Sequence, residues 1–158
     1  LELKNLQHKL PHYLGAALSN NSSYTEDTMQ TFLPYADFEQ SARILDYRRL
    51  GKQRVEAWQI LQAINDPLYG WQHHPAVNMW RGYQAALVAY YAAICREWIR
   101  RGYQHTLPIL IPESSYAKPP WLGYEDFHYS HRSKLFYKSP QDYYGWSGIE
   151  KVNYVWPI

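Results

Sequence analysis

Apolar residues recur at steps of three and four along most of the chain after Met29, so helices are the expected building blocks. MQTFLPY, ending in Pro34 and Tyr35, reads as a short extended entry segment. The stretch DFEQSARILDYRRL predicts a first helix, with Asp37 as N-cap and Gln40 three residues on, the spacing of a capping box. Gly51 is expected to break or bend this helix, and the pattern resumes through Val55, Trp58, Leu61 and Ile64 as a second helical face. After the loop NDPLYGWQHHP, Pro75 suits the first turn of a long helix that stops at Gly102. Its stripe of Met79, Tyr83, Leu87, Tyr90, Ile94 and Trp98 would run about 40 Å at 1.5 Å per residue. That helix is the expected central scaffold. LPILIPESSYAKPPWLG, with four prolines, predicts an ordered loop. A last helix is expected from near Ser130, followed by an irregular aromatic tail from Tyr143. Strand patterns are scarce and no internal repeat is present. The expected fold class is all-α: a compact helical single domain around one long central helix, with long irregular loops.

Residues 1–28 read apart from this domain. Leu3, Leu6 and Leu10 allow a short amphipathic helix, and SNNSSYTEDT reads as a solvated linker. The chain opens on Leu, so 1–28 is set aside as an N-terminal extension, with Met29 as an alternative start and 29–158 as the domain.

Composition changes this picture little. At 46% hydrophobic and 19% charged, 158 residues suit one folded domain. A formal net charge of +2 is too small to announce a nucleic-acid binder, so any such case rests on local clustering. The single cysteine, Cys95, rules out an internal disulfide and fits a reducing compartment, so a cytoplasmic location is expected. No apolar run is long enough to span a bilayer, and no membrane partner is expected. Aromatics reach 17%, enough to fill a core and also to stack on exposed bases.

The local chemistry is more pointed. Arg43, Arg48, Arg49, Lys52 and Arg54 surround one acid, Asp46. A solvated helix face normally interleaves both signs, because like charges at helical spacing repel. An anion joining the cluster would relieve that, and arginine matches phosphate with two donors at once. His73 and His74 stand at the mouth of the predicted long helix, where anions also prefer to sit. His128, His131, Arg132, Lys134 and Lys138 alternate with Tyr129, Phe136 and Tyr137, a composition that suits a nucleic-acid surface or an ordinary amphipathic helix. The four histidines lack the tight spacing of a strong metal site, and no cofactor is expected. Glu56, one turn beyond Lys52, is either a salt-bridge partner or a general acid or base.

DYRRLGKQRV, MWRGYQAALVAYYAAICREWIRRGY and SPQDYYGW together resemble the phage-type pyrimidine-dimer DNA glycosylases, also called endonuclease V. The resemblance is greatest to bacterial proteins grouped with them that begin MQTFLPY and carry RRLGKQRVEA, and it covers Met29 to about Trp146. It implies an all-α fold that binds bent duplex DNA and flips a nucleotide from the stack. It also implies glycosylase and abasic-site (AP) lyase chemistry. An amine attacks the sugar C1′, an imine forms, the damaged base leaves, and β-elimination cuts the strand. The family uses an α-amine, which titrates at about 7.7–8.0 and so supplies unprotonated nucleophile near neutrality.

Carried across, Arg48 and Arg54 would grip phosphate, and Tyr143 and Tyr144 match the C-terminal aromatic contact region. The family's glutamate directly follows the arginine of Tyr-Arg. Arg49 stands there in this chain, and Glu56 is the nearest alternative acid. The amine would be that of Met29 or, failing that, Lys52. Arg43, Arg49, His74, Arg132 and Lys134 complete the expected DNA-binding set. Two other readings stay open: a non-catalytic nucleic-acid-binding module on the same fold, and a histidine-dependent hydrolase, with or without a metal.

Overall fold

The computed structural model describes residues 29–157. The expectations for residues 1–28 lie outside the described residues. Five α-helices follow one another with no strand among the described residues: α1 (Phe38–Ile44), α2 (Tyr47–Asn65), α3 (Pro75–Asn78), α4 (Gln84–Arg100) and α5 (Glu125–Lys138), then a single 3-10 turn at Tyr144–Trp146. The all-α class is therefore as expected. No helix among the described residues is long and apolar enough to cross a membrane.

The first helical break falls at Leu45–Asp46, not at Gly51. Leu45 is extended (ψ 135°), and the Asp46 carboxylate accepts the Arg48 and Arg49 backbone N–H groups as the N-cap of α2. Arg101 reaches across from the end of α4 and donates through Nη2 to Leu45 O at 2.8 Å and Arg43 O at 3.0 Å, covering carbonyls that the end of α1 leaves open. Gly51 lies within α2 for a packing reason. A Cβ there would stand 3.0 Å from Trp98 Cζ3, so glycine lets the indole lie against the helix.

The expected 28-residue helix is also divided. α3 ends at Asn78, and Gly82 turns the chain at φ +81°, a left-handed conformation that glycine adopts without penalty. α4 alone is the scaffold, 17 residues or about 25 Å long. It packs against both α1 and α2. α5 begins at Glu125, five residues before the expected start, with Glu125 and Asp126 in its first turn. Asp37 does cap α1, accepting from Gln40 N at 2.7 Å.

The entry segment is the least ordinary part of the core. Met29 to Leu33 are all at most 2% exposed, yet form no helix or strand. Their backbone groups are satisfied by side chains, as burial demands. Gln53 from α2 donates to Gln30 O at 2.8 Å and accepts from Phe32 N at 2.9 Å, taking the part a neighbouring strand would play. The Tyr90 hydroxyl shares its proton between Gln53 Oε1 (2.6 Å) and Phe32 O (2.9 Å). Leu33 is held at both ends of its backbone by α5: its N–H donates to His131 Nδ1 at 2.9 Å, and its carbonyl accepts from His128 Nδ1 at 2.8 Å.

Candidate active site

α2 is the element that organises the site, because its first three turns present chemically different faces. At 100° per residue, Arg48, Arg49 and Lys52 fall within one arc, Tyr47, Gly51 and Arg54 share the far side, and Glu56, within the cationic arc, is set apart with the neighbouring Gln53 by burial. The cationic arc lines a cavity of about 520 Å³. Phe32 contributes from the entry segment, and Lys138, Ser139, Gln141 and Asp142 close the far wall from the end of α5. That volume is within the usual range for small-ligand sites.

Behind the cations lies Glu56, only 5% exposed. Its Oε1 is 3.3 Å from Lys52 Nζ. Its Oε2 accepts from Gln30 N at 3.2 Å and from Gln53 Nε2 at 3.2 Å. Burial dominates the electrostatics and pushes the carboxyl up to about 7, although Lys52, the Gln30 amide and Lys138 all pull it down. Glu56 is therefore divided between its acid and its base form near neutral pH, the condition for proton transfer in either direction.

Arg49 and Asp46 make a 3.2 Å ion pair at the cavity edge. Burial works to raise the Asp46 carboxyl, but the Tyr143 hydroxyl and the Arg49 guanidinium outweigh it and hold it below its ordinary value. Tyr143, 3% exposed, donates to Asp46 Oδ1 and accepts from Asp46 N at 3.0 Å. Its ring stacks on Trp146 at 5.4 Å. The C-terminal turn is thus tied to the cap of α2, and Tyr144, the next residue, is 77% exposed.

The other expected site residues lie elsewhere. Arg43 is exposed on α1 and pairs with Glu39 at 3.3 Å, outside the cationic cavity. Arg54 is on the opposite side of α2 from Lys52. Its guanidinium lies 4.2 Å from the Trp98 ring centroid, and its Nη1 is 3.1 Å from His105 Nδ1. His74 caps α3, its Nδ1 accepting from Ala76 N at 3.0 Å. Arg132 donates to Pro34 O at 2.7 Å and pairs with Glu125. Lys134 lies over the Tyr154 ring at 5.0 Å. Met29 is buried beside Gln30, whose amide reaches Glu56.

His128 and His131, engaged with Leu33, are buried, and burial pushes both down, His131 to about 3. Among the described residues no three His, Cys, Asp or Glu side chains converge as metal ligands would. Sequence reasoning left Gln53 out of the candidate set, and it named Lys138 only within the basic–aromatic stretch of α5, not beside Lys52. Gln53 had a signal, its place one turn before Glu56 on the same face. Lys138 is brought into one cavity with Lys52 only by folding.

A family model for pyrimidine dimer DNA glycosylase matches residues 29–110, which is 82 of the 158 residues. The chain belongs to the pyrimidine dimer DNA glycosylase family. That family is one of DNA repair glycosylases, for which DNA is the substrate. The matched segment runs from the buried entry residues through α4 and into the loop after it, so it contains Arg48, Arg49, Lys52 and Glu56 but not Lys138 or Tyr143. No curated protein matches the chain. No solved structure matches it either.

Proposed function

We propose that the chain is a DNA glycosylase with AP lyase activity, in which the cavity between α2 and the end of α5 receives one damaged nucleotide of a duplex. The observation that carries this reading is a buried carboxyl titrating near 7 that touches an amine at the back of a cationic pocket. Arg48 and Lys138 would meet flanking phosphates, and Arg49, steadied by Asp46, would face the same strand.

The geometry supports the following chemistry. An unprotonated amine attacks C1′, forming a nitrogen–carbon bond as the bond from C1′ to the base breaks. The departing base takes a proton from Glu56 in its acid form. Loss of the amine proton and opening of the sugar ring then give the imine: the C1′–O4′ bond breaks, O4′ takes a proton, and the nitrogen lone pair forms the C1′=N bond. Glu56, now a carboxylate, removes a proton from C2′, the electron pair forms a C2′=C3′ double bond conjugated with the imine, and the C3′–O bond breaks as the 3′ phosphate leaves. Water then hydrolyses the imine and frees the amine. Lys52 Nζ is the amine in contact with Glu56. In a chain beginning at Met29, the α-amine would stand one residue from the Gln30 amide that Glu56 accepts from.

Borohydride trapping on a duplex with an abasic site or a cyclobutane dimer tests this directly. Two proteins are compared, the 158-residue chain and one starting at Met29, and the modified residue is located by mass spectrometry. A covalent adduct at Lys52 or at the terminal amine supports the reading, and no adduct with either protein rejects it.

A second reading has one observation in its favour. Arg49 occupies the position of the family's glutamate and is held in place by Asp46. A protein that kept the phosphate-binding cavity and lost the acid would bind DNA without cutting it. Salt-sensitive binding with no trapped adduct would select this reading.

A further inference from the structure

The far side of α2 takes no part in the chemistry above, and it carries an open aromatic surface. Tyr47, the first residue of α2, lies parallel to Trp98 with ring centroids 5.5 Å apart and an interplanar angle of 16°. Tyr103 closes the group at 4.9 Å from Tyr47 and 4.5 Å from Trp98. Trp98 is buried beneath, fixed by its N–H to Gln104 O at 2.9 Å, by the close approach at Gly51 and by the Arg54 guanidinium. Tyr47 is 55% exposed and Tyr103 38% exposed. Among the described residues neither tyrosine hydroxyl makes a hydrogen bond, so ring contact alone places them. Arg48, in the adjacent cationic cavity, is the very next residue after Tyr47.

We infer that Tyr47 and Tyr103, backed by Trp98, form a stacking platform for an unpaired nucleobase whose own or neighbouring phosphate is held by Arg48. This rests on the DNA-binding reading above and adds to it the place where a displaced base goes. A rigid aromatic floor costs little entropy on binding, and every base offers a π-face to it. The platform should therefore be tolerant of base identity. Charge complementarity sets the neighbourhood: the cavity one residue away is lined by three arginine and lysine side chains of α2 together with Lys138.

The probe is a duplex carrying a tetrahydrofuran abasic analogue with 2-aminopurine opposite, compared with the same duplex undamaged. Its sugar has no reactive C1′ hydroxyl, so binding is measured without cutting. Tyr47→Leu keeps apolar cover over Trp98 and preserves the fold. It should weaken binding to the lesion duplex about tenfold and leave undamaged duplex and the salt dependence unchanged. The 2-aminopurine fluorescence in its complex should exceed that in the wild-type complex, where the rings quench it. Tyr47→Phe should restore both, and Tyr103→Leu should show a smaller loss of the same kind. If wild-type protein binds both duplexes and Tyr47→Leu and Tyr103→Leu change neither affinity nor fluorescence, the platform is overturned while the DNA-binding reading stands. If wild-type protein binds neither duplex, both fall together.

Discussion

Lys52 Nζ lies 3.3 Å from Glu56 Oε1, one helical turn away, on a carboxyl that burial has raised to about 7. The acid form of Glu56 serves departure of the base, and its base form serves removal of the C2′ proton. Base release from a dimer duplex should therefore decline as pH rises above about 7, and β-elimination at a preformed abasic site should decline as pH falls below about 7. Glu56→Gln removes both limbs and should slow both steps at least a hundredfold, while affinity for an abasic-analogue duplex stays within about threefold. Rates on the two substrates against pH, with binding measured in parallel, check this.

The same carboxyl leaves a mark on stability. Between its ordinary value of 4.5 and about 7 the folded protein keeps a proton on Glu56 that the unfolded chain has lost, so this group's contribution declines as pH rises through that window. The full effect is about 3 kcal/mol. His131 acts in the other direction. Burial lowers it from 6.5 to about 3, so the unfolded chain binds a proton that the folded one does not, and stability declines as pH falls below about 6.5. In wild-type protein the two largely offset each other between about 4.5 and 6.5. Glu56→Gln should unmask the histidine: denaturant midpoints should gain at pH 8 relative to wild type and fall more steeply on acidification.

How much of this was readable in the sequence depends on range. The cap at Asp37 and the proline-rich loop are local features, and they stand where the pattern put them; of the five clustered cations, Arg48, Arg49 and Lys52 share a cavity, whereas Arg43 and Arg54 turn elsewhere. The α1–α2 break was readable in principle, since Asp46 before a run without acids is an N-cap signal. Gly51 drew the break away because a helical glycine is ordinarily a weakness, and its packing against Trp98, 47 residues on, is invisible in one dimension. Gly82 was hidden because Tyr83 and Leu87 keep the apolar stripe in phase across the turn. In the site, the separation of Arg54 from Lys52 follows from helix geometry once α2 is drawn. The engagement of His128 and His131 with Leu33, nearly 100 residues away, does not, and neither does the presence of Lys138 and Lys52 in one cavity.

Gln53 is the residue on which the entry segment depends. It pairs with Gln30 O and Phe32 N in a fully buried setting and also donates to Glu56. Gln53→Leu keeps the volume but strands a buried donor and a buried acceptor, each worth about 1–3 kcal/mol when unsatisfied. The expected loss is about 3 kcal/mol, read as a lower urea midpoint at unchanged slope.

At Gly51 two effects of opposite sign compete. Alanine gains about 1 kcal/mol of helix propensity over glycine. Its Cβ, however, would meet Trp98 at 3.0 and 3.1 Å, and that ring is hemmed in by Tyr47, Tyr103 and Arg54. Overpacking against a fixed ring costs about 1–3 kcal/mol, so Gly51→Ala should be neutral to destabilising by about 2 kcal/mol. Thermal unfolding with tryptophan fluorescence should show the loss together with a disturbed indole environment. A gain in melting temperature would mean that the indole yields freely.

Arg48 and Arg54 were expected to act alike on phosphate, and the two faces of α2 separate their predicted effects. Arg48 is exposed at the cationic cavity, so Arg48→Ala should lower the slope of log binding constant against log salt by about 1 and leave unfolding unchanged. Arg54 lies over Trp98 and beside His105, partly desolvated, where a cation–π contact is worth up to about 2 kcal/mol. Arg54→Ala should therefore lower stability by about that amount and leave the salt slope as it was. Salt titrations and denaturant melts on both variants separate the roles. Equal slope changes from the two would mean that the Arg54 guanidinium also meets a phosphate, which its engagement with Trp98 and His105 does not allow.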